Sequence, residues 1–313
     1  NIRAGIGISE GSCPTVTENR CHENRRAGIG IRTGEDTRPV VEDNDCFGNH
    51  MAGIGVEEEA RPFIRSNRCR DNKLAGIGCR HGARPEITGN ECIANGAAGI
   101  GVEHGAVAKI ESNLCKGNKA AGIGVRQHAE ATLTNNRILD NALVAIGVRN
   151  GSKIIAEKNT LSRKGGMPPL VAILDNSQAT LTDNDLSGGG IAGVLLQGNA
   201  EVRNNRFHGN GPRKGGPPNF AIWVREGSEI TFSGNRVEGW RHALFASKAK
   251  QVTANDNQVR AFLGTALVIR DSELPSTATG NRAFSDDPKA QAIEISGPKA
   301  KVTGNRVEKK SKK

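Results

Sequence analysis

The stretch ITGNECIANGAAGIGV at residues 87–102 decides the fold, because versions of it recur along nearly the whole chain of 313 residues. Its Ala-Gly-Ile-Gly segment recurs in steps of 23 to 25 residues, at Ala4, Ala27, Ala52, Ala75, Ala98 and Ala121, with a variant at Ala145. An asparagine followed two residues later by Cys or an apolar residue occurs at Asn19, Asn44, Asn67, Asn90, Asn113, Asn136, Asn159, Asn184, Asn205, Asn235, Asn257, Asn281 and Asn305. These thirteen repeats of about 24 residues indicate a solenoid.

Each repeat contains three short apolar segments. One ends three residues before the asparagine, one begins two residues after it, and one is the Gly-Ile-Gly-Val run. The segments alternate as strands do and are too short for helices. We therefore predict an all-β parallel β-solenoid with about thirteen coils and three strands per coil. Each asparagine is expected at the bend between the second and third strands, in the left-handed conformation, with its amide bonded to its counterparts in adjacent coils.

The full pattern, apolar-x-x-Asn-x-apolar-x-x-Asn-x-x-x-Gly-Ile-x-apolar, resembles the right-handed parallel β-helix repeat over essentially the entire chain. That superfamily includes pectate-lyase-like enzymes, carbohydrate-binding CASH-type domains and NosD-type accessory proteins. The resemblance implies a right-handed, single-stranded β-helix and leaves the function open, since one fold hosts many activities. We expect a single domain over residues 1–313, with regular coils at 1–158, less regular coils at 159–308 and a Lys-rich tail at 309–313.

The Gly-Ile-Gly-Val strand predicts a smooth outer face in the first half of the chain. Its outward positions are glycines through the first six coils, so no acid, base or nucleophile can act from it. The position after this strand alternates in sign along Arg32, Glu57, Arg80, Glu103 and Arg126. Opposite charges one coil apart predict a cross-strand ladder. The first half is therefore interpreted as scaffold, or as a smooth surface for a protein partner.

The cysteines and histidines predict core packing and a polar stripe, with no metal site and no cofactor. One repeat position holds Cys21, Cys46, Cys69, Cys92 and Cys115, and then Ile138, Leu161, Leu186, Phe207 and Val237. A position that accepts Leu and Phe points inward, so a buried column of free thiols is expected. Cys79 is also expected in the core and Cys13 at the surface. His81 and His104 are expected to stack in adjacent coils as a solvated stripe, because four converging ligands are not evident.

Candidate binding residues collect in the second half. Two basic, proline-containing insertions, at residues 163–169 and 213–218, flank a Gly-Gly-Gly turn at 188–190, which predicts a notch. Both tryptophans are expected beside them, and exposed rings next to cations suit an acidic sugar chain. The ligand-binding candidates are Arg163, Lys164, Arg213, Lys214, Trp223, Arg225, Trp240 and Arg241.

Three functions remain open at this stage. The preferred hypothesis is a non-catalytic module that binds an acidic polysaccharide or another anionic surface, consistent with a net charge of +10. The alternative enzyme is a lyase or epimerase of a uronic-acid polymer, with Lys214, Arg225 and His242 as catalytic candidates. Glycoside hydrolysis is disfavoured because it needs two facing carboxylates, which the pattern does not offer. The third possibility is a structural or protein-interaction scaffold.

Composition narrows partners and location. The alternating charges and the aromatic content of 3% argue against nucleic acid, and no apolar run approaches the ~20 residues of a membrane span. The superfamily favours a secreted, periplasmic or cell-surface protein, while seven cysteines without a disulfide pattern favour a cytoplasmic alternative. The chain opens inside a coil without an initiating Met, so a processed form or an excised domain is expected. Its oligomeric state is left open.

Overall fold

The computed structural model describes residues 1–212, 214–298 and 300–309. Short β-strands are the regular elements of these residues, and they form three parallel sheets of thirteen strands each. Within a sheet, each strand neighbours the strand that lies three elements further along the chain, so every coil gives one strand to each sheet. The predicted all-β solenoid of about thirteen three-stranded coils is confirmed. No helix among the described residues is long and apolar enough to cross a bilayer.

The three sheets are numbered in the order in which the chain meets them. Sheet 1 consists of Ile6–Ile8, Ile29–Ile31, Ile54–Val56, Ile77–Cys79, Ile100–Glu103, Ala121–Arg126, Val144–Arg149, Val171–Ile173, Ala192–Leu196, Phe220–Val224, His242–Ser247, Thr265–Arg270 and Gln291–Ile295. Sheet 2 consists of Thr15–Thr17, Val40–Glu42, Phe63–Arg65, Glu86–Thr88, Val107–Glu111, Glu130–Thr134, Lys153–Glu157, Gln178–Thr182, Asn199–Arg203, Glu229–Ser233, Gln251–Asn255, Thr277–Thr279 and Lys301–Thr303. Sheet 3 consists of Arg20–His22, Asp45–Phe47, Arg68–Arg70, Glu91–Ile93, Leu114–Lys116, Arg137–Leu139, Thr160–Arg163, Asp185–Gly188, Arg206–His208, Arg236–Glu238, Gln258–Arg260, Arg282–Phe284 and Arg306–Glu308.

The chain divides into two compact units, Asn1–Thr160 and Leu161–Lys313, called unit 1 and unit 2 below. In unit 1 the coils stack like residue over like residue, so that Ile77 pairs with Ile100 and Gly78 with Gly101. The alternating charges of unit 1 form the predicted ladder, with side-chain distances of 2.7 Å for Arg80–Glu57 and for Arg126–Glu103.

An asparagine ladder lines the bend between sheets 2 and 3 in both units. Asn90 donates from Nδ2 to Oδ1 of Asn113 at 3.0 Å and to the carbonyl of Ile64 at 2.9 Å. In unit 2, Asn205 donates in the same way to Asn235. These bonds satisfy backbone and side-chain polar groups in the bend, which accounts for asparagine at this position in all thirteen repeats.

The expectation that the ladder asparagines adopt the left-handed conformation is wrong. The residue before each ladder asparagine has the positive φ: Glu18, Asp43, Ser66, Gly89, Ser112, Asn135, Lys158, Asp183, Asn204, Gly234, Asp256, Gly280 and Gly304. That residue makes the sharp turn, and the following asparagine can then direct its amide into the bend. Side chains of several types occupy the left-handed position because the ladder bonds hold the backbone there.

Unit 1 has a second asparagine ladder at the bend that follows sheet 3. It consists of Asn24, Asn49, Asn72, Asn95, Asn118 and Asn141, all buried. Nδ2 of Asn95 donates to Oδ1 of Asn118 at 3.0 Å and to the carbonyl of Cys69 at 2.9 Å. The first glycine of Ala-Gly-Ile-Gly packs against this ladder. A Cβ on Gly76 would lie 2.7 Å from the carbonyl oxygen of Gly99, so this position requires glycine.

The predicted thiol column is present in the core of unit 1. Cys21, Cys46, Cys69, Cys92 and Cys115 are buried, as is Cys79, whereas Cys13 is exposed, and all seven are free thiols. In-register pairs such as Cys46–Cys69 and Cys92–Cys115 belong to neighbouring strands of sheet 3. Burial raises the pKa of the Cys79 thiol well above its ordinary value. Cys79 therefore stays protonated and packs as apolar core. The five thiols of the column are buried beside one another in the same core.

Candidate functional site

The outer face of sheet 1 differs sharply between the two units. In unit 1 it presents a row of glycines in register, among them Gly55, Gly78 and Gly101, beside a row of alanines. A Cβ on Gly78 would approach nothing closer than the Ala52 Cβ at 3.7 Å, an ordinary contact distance. The smooth face is therefore present as predicted, although close packing does not require glycine at these outward positions.

In unit 2 the same two rows carry rings. Trp223 pairs in register with Phe245, and Phe220 with His242. Phe220 stacks on Phe245 with ring centroids 4.7 Å apart, meets Trp223 edge-on at 5.8 Å and lies 5.3 Å from His242. These four residues are called the aromatic cluster below. Phe220 is its buried centre at 7% exposure, while the other three side chains remain partly exposed.

Two arginines border the aromatic cluster. The guanidinium of Arg225 lies 5.1 Å from the centroid of the Trp223 ring, and that of Arg270 lies 5.9 Å from the centroid of Phe245. Arg270 also pairs with Glu294 at 2.7 Å, whereas Arg225 is exposed. Cations at the ring faces hold the rings in place and put positive charge at the edge of an apolar platform.

His242 is held in one tautomer. Its Nδ1 lies 2.6 Å from the carbonyl oxygen of Thr265, and because a carbonyl can only accept, Nδ1 carries the proton. Burial in the aromatic cluster, together with the charges of Arg241 and Arg270, lowers the pKa of His242 below its ordinary value of 6.5. The ring is thus neutral at neutral pH, and its Nε2 has a free lone pair.

The first basic insertion folds onto the solenoid instead of bordering a notch. Arg163 is 7% exposed, and its guanidinium donates to the carbonyl of Pro168 at 2.7 Å, so it braces the insertion from within. A Cβ on Gly188 would lie 1.9 Å from the Arg163 carbonyl oxygen, and one on Gly190 would lie 2.0 Å from that of Pro168. The glycine turn therefore packs against this insertion, and the predicted open glycine floor is corrected. Lys164 remains exposed.

The second basic insertion keeps its cation at the surface. Lys214 is exposed, whereas Arg213 lies outside the described residues. Arg241 is partly exposed at the next coil, and its backbone N–H donates to the carbonyl of Asn219 at 2.9 Å. The structure thus brings Arg225 into contact with the aromatic cluster, to which His242 belongs, and leaves Lys164 and Lys214 at the surface of the same unit.

Trp240 does not offer its ring to a ligand. The side chain is 0% exposed, and it takes the place in the repeat that the second asparagine ladder occupies in unit 1, five residues after a ladder asparagine. Its ring packs against Gly193 and Gly209, whose hypothetical Cβ atoms would lie 3.5 and 2.9 Å from it. A bend without a ladder amide leaves a volume that the indole fills. The prediction of Trp240 as a ligand-binding residue is corrected on this ground.

Sequence reasoning missed Phe220, Phe245 and Arg270. The signal was available, because aligning the coils on their inward apolar pair places Phe245 at the position of the outward glycines. Phe220 was harder to identify from the sequence, because it lies before the alternating part of the strand and turns outward beside Trp223.

The histidine stripe carries no recognisable metal site. His81 and His104 lie in adjacent coils with ring centroids 5.0 Å apart, as predicted. Within the described ranges, no group of three or more His, Cys, Asp or Glu side chains converges as metal ligands would.

The geometry defines a right-handed parallel β-helix that carries an aromatic and basic cluster on the outer face of one sheet. The sequence profile of the right handed beta helix region matches residues 1–107, 79–217 and 169–307. Because these overlapping matches extend over most of the chain, the chain belongs to the right-handed β-helix family. No curated protein matches it. Membership of this family accounts for the fold and leaves the activity to be argued from the site.

Proposed function

We propose that this chain is a non-catalytic β-helix module that binds an acidic polysaccharide through the aromatic cluster and the cations around it. The observation that supports this proposal is the replacement of a glycine row by contacting rings, with the Arg225 guanidinium over the Trp223 ring. Rings that remain partly exposed give flat apolar faces for the C–H faces of sugar rings. Adjacent guanidinium groups pair with carboxylates or sulfates of the same chain.

The revised binding surface is smaller than the one predicted from sequence. It comprises the aromatic cluster with Arg225, Arg241, Lys164 and Lys214 as cations of the same unit. Arg163 and Trp240 are buried and serve the structure around it. Arg270 is neutralised by Glu294, so it contributes to ring positioning more than to net charge.

A tryptophan-based binding experiment tests the proposal. Trp223 and Trp240 are the two tryptophans of the chain, and only Trp223 is exposed to a ligand, so polygalacturonate and heparin titrations should change the emission of Trp223. The Trp223→Ala variant should bind about tenfold more weakly, as expected for losing one stacked ring. Phe63→Ala is the matched control, because Phe63 is an exposed aromatic residue of sheet 2 in unit 1. Equal affinity of Trp223→Ala and wild type would overturn the proposal.

The state of His242 favours a lyase or epimerase as the second candidate. A neutral imidazole with Nδ1–H bonded to Thr265 leaves Nε2 free to take the C5 proton of a uronate. In a lyase the electron pair would then expel the C4 oxygen and leave an unsaturated sugar. Incubation with polygalacturonate and ultraviolet detection of unsaturated product distinguishes this candidate. Product that is lost in His242→Gln while binding persists would replace the non-catalytic proposal.

A further inference from the structure

On the outer face of sheet 3 in unit 2, a row that begins with Asp185 beside Arg206 continues mainly with positive charges. Arg206 pairs in register with Arg236, and further along the same row Gln258 pairs with Arg282 and Arg282 with Arg306. These five residues are called the arginine column. Neighbours in such a row lie on adjacent strands, whose backbones are about 4.8 Å apart. Like charges directly opposite each other in a sheet are destabilising, so the fold itself does not account for them.

The same row in unit 1 follows the opposite rule. Arg20, Asp45, Arg68 and Glu91 succeed one another in register and alternate in sign. Arg68 pairs with Glu91 at 3.6 Å. The solenoid can therefore alternate charge at this position, and the arginine column departs from that arrangement.

Only part of the arginine column is neutralised from within. Glu308 accepts from Arg282 at 2.9 and 3.0 Å and from Arg306 at 2.6 Å. These bonds lower the pKa of Glu308 to about 2. Arg206 and Arg236 form no ion pair with a carboxylate among the described residues, and both are exposed.

The two unpaired arginines line a shallow open depression of about 530 Å³. Its lining also includes His208, Glu238 and Arg260, and the guanidinium of Arg260 lies 4.9 Å from the ring of Phe284. One carboxylate among several guanidinium groups suits a ligand that has hydroxyl groups as well as anionic groups. Hydroxyls can donate to Glu238, while carboxylates or sulfates meet Arg206 and Arg236.

We propose that the arginine column and its depression form a second binding surface, on a different sheet from the aromatic cluster, for an acidic glycan with anionic groups spaced to meet successive coils. The choice of a glycan rests on the proposed function, whereas the surface itself rests on the unpaired arginines. A guanidinium fork binds carboxylate and sulfate in a bidentate manner, which fixes a sugar chain more firmly than a point charge does.

The test compares two double variants with the same change in net charge. Arg206→Gln/Arg236→Gln removes the unpaired arginines, and Arg137→Gln/Arg149→Gln removes two exposed arginines of unit 1. Binding of polygalacturonate and of heparin is measured by calorimetry at fixed salt. We expect the first variant to bind about tenfold more weakly than the second. Its melting temperature should equal or exceed that of wild type, because a repulsion has been removed.

The outcomes separate this surface from the proposed function. Weaker binding in Arg206→Gln/Arg236→Gln alone supports the second surface and counts against the aromatic cluster. Weaker binding in Trp223→Ala alone supports the aromatic cluster and overturns the second surface. Equal losses in both arginine variants would reduce the effect to net charge and overturn it too. A preference for single-stranded DNA that depends on Arg206 and Arg236 would overturn the glycan assignment. If the Arg206→Gln/Arg236→Gln variant loses affinity for heparin but not for polygalacturonate, sulfate is the recognised group.

Discussion

The two units share the same coil architecture but carry different residue types at equivalent surface positions. On the outer face of sheet 1, unit 1 presents glycine where unit 2 presents Trp223 and Phe245. A Cβ would fit at outward glycines of unit 1 such as Gly55 and Gly78, so packing leaves this outer row free to vary. Packing does require glycine at positions such as Gly76. The difference teaches that function in this solenoid is to be sought where the outer rows change, not where they repeat.

The bend after sheet 3 shows the same contrast in the interior. Unit 1 closes it with hydrogen bonds between amides such as Asn95 and Asn118. One coil of unit 2 fills the corresponding place with the Trp240 ring, whose Nε1 has no hydrogen-bond partner among the described groups. The bend in unit 1 is thus closed by hydrogen bonds between its polar groups, and the bend at Trp240 is closed by a side chain that fills its volume.

The largest expected effect breaks the core of unit 1. Cys69→Asp places a carboxylate at a position of the thiol column that is 0% exposed, and the cost of an unpaired buried charge should be about 5 kcal/mol. Denaturant unfolding measures it. Cys13→Asp is the control, since Cys13 is exposed and should change stability by about 0.5 kcal/mol or less. A near-neutral Cys69→Asp would contradict the inward column.

Trp240→Ala should destabilise unit 2 by about 3–5 kcal/mol, because truncating a large buried ring leaves a cavity. Trp240→Phe should cost much less, as it keeps most of the volume and removes the unpartnered N–H. Thermal and denaturant unfolding compare the two, with the partly exposed Trp223→Ala as the reference. If the Phe variant is as unstable as the Ala variant, the volume argument fails.

Asn95→Ala tests the hydrogen-bonded version of the bend. It removes the bonds to Asn118 and to the Cys69 carbonyl. It also removes the Oδ1 that accepts from both the backbone N–H and Nδ2 of Asn72. Unsatisfied buried groups predict a loss of about 2–4 kcal/mol in the free energy of unfolding. Lys73→Ala, an exposed truncation at the same bend, is the control. A loss no larger than that of Lys73→Ala would show that the ladder does not stabilise unit 1.

The titration of His242 sharpens the picture of the aromatic cluster. Because its pKa is lowered in the folded chain, the unfolded chain binds the proton first as pH falls below about 6.5. The resulting stability loss develops between that pH and the folded pKa and is at most about 1.4 kcal/mol per pH unit. NMR titration should give a pKa below 6.5, and Phe245→Ala, which uncovers the ring, should raise it. An unshifted pKa in the wild type would mean that the cluster is open to water.

The smallest expected effects concern the charges on sheet 3. Arg68→Gln removes an attraction to Glu91 in unit 1, whereas Arg236→Gln relieves a repulsion from Arg206 in unit 2. Opposite changes of about 0.5 kcal/mol or less are expected in the free energy of unfolding, and both should shrink at high salt. Changes of the same sign would remove the distinction between the two units at this position.

The sequence by itself determined the number of coils, the inward column and the ladder asparagines. Each coil contacts only its neighbours, so a residue type that recurs at one period must meet its own kind in the next coil. The thiol column, the smooth face and the charge ladder of unit 1 all follow from this rule. The location of the positive φ one residue before each ladder asparagine did not follow, because either residue can form a turn by its local preference.

Only the tertiary structure decided what unit 2 does with its irregular residues. The insertions break the period, so the sequence could not show that Arg163 turns inward to Pro168 or that Trp240 fills a bend. The contact of Phe220 with Phe245 likewise depends on the path of the backbone before the strand. A strict repeat fixes contacts through its period, whereas an interrupted repeat leaves them to the packing of particular side chains.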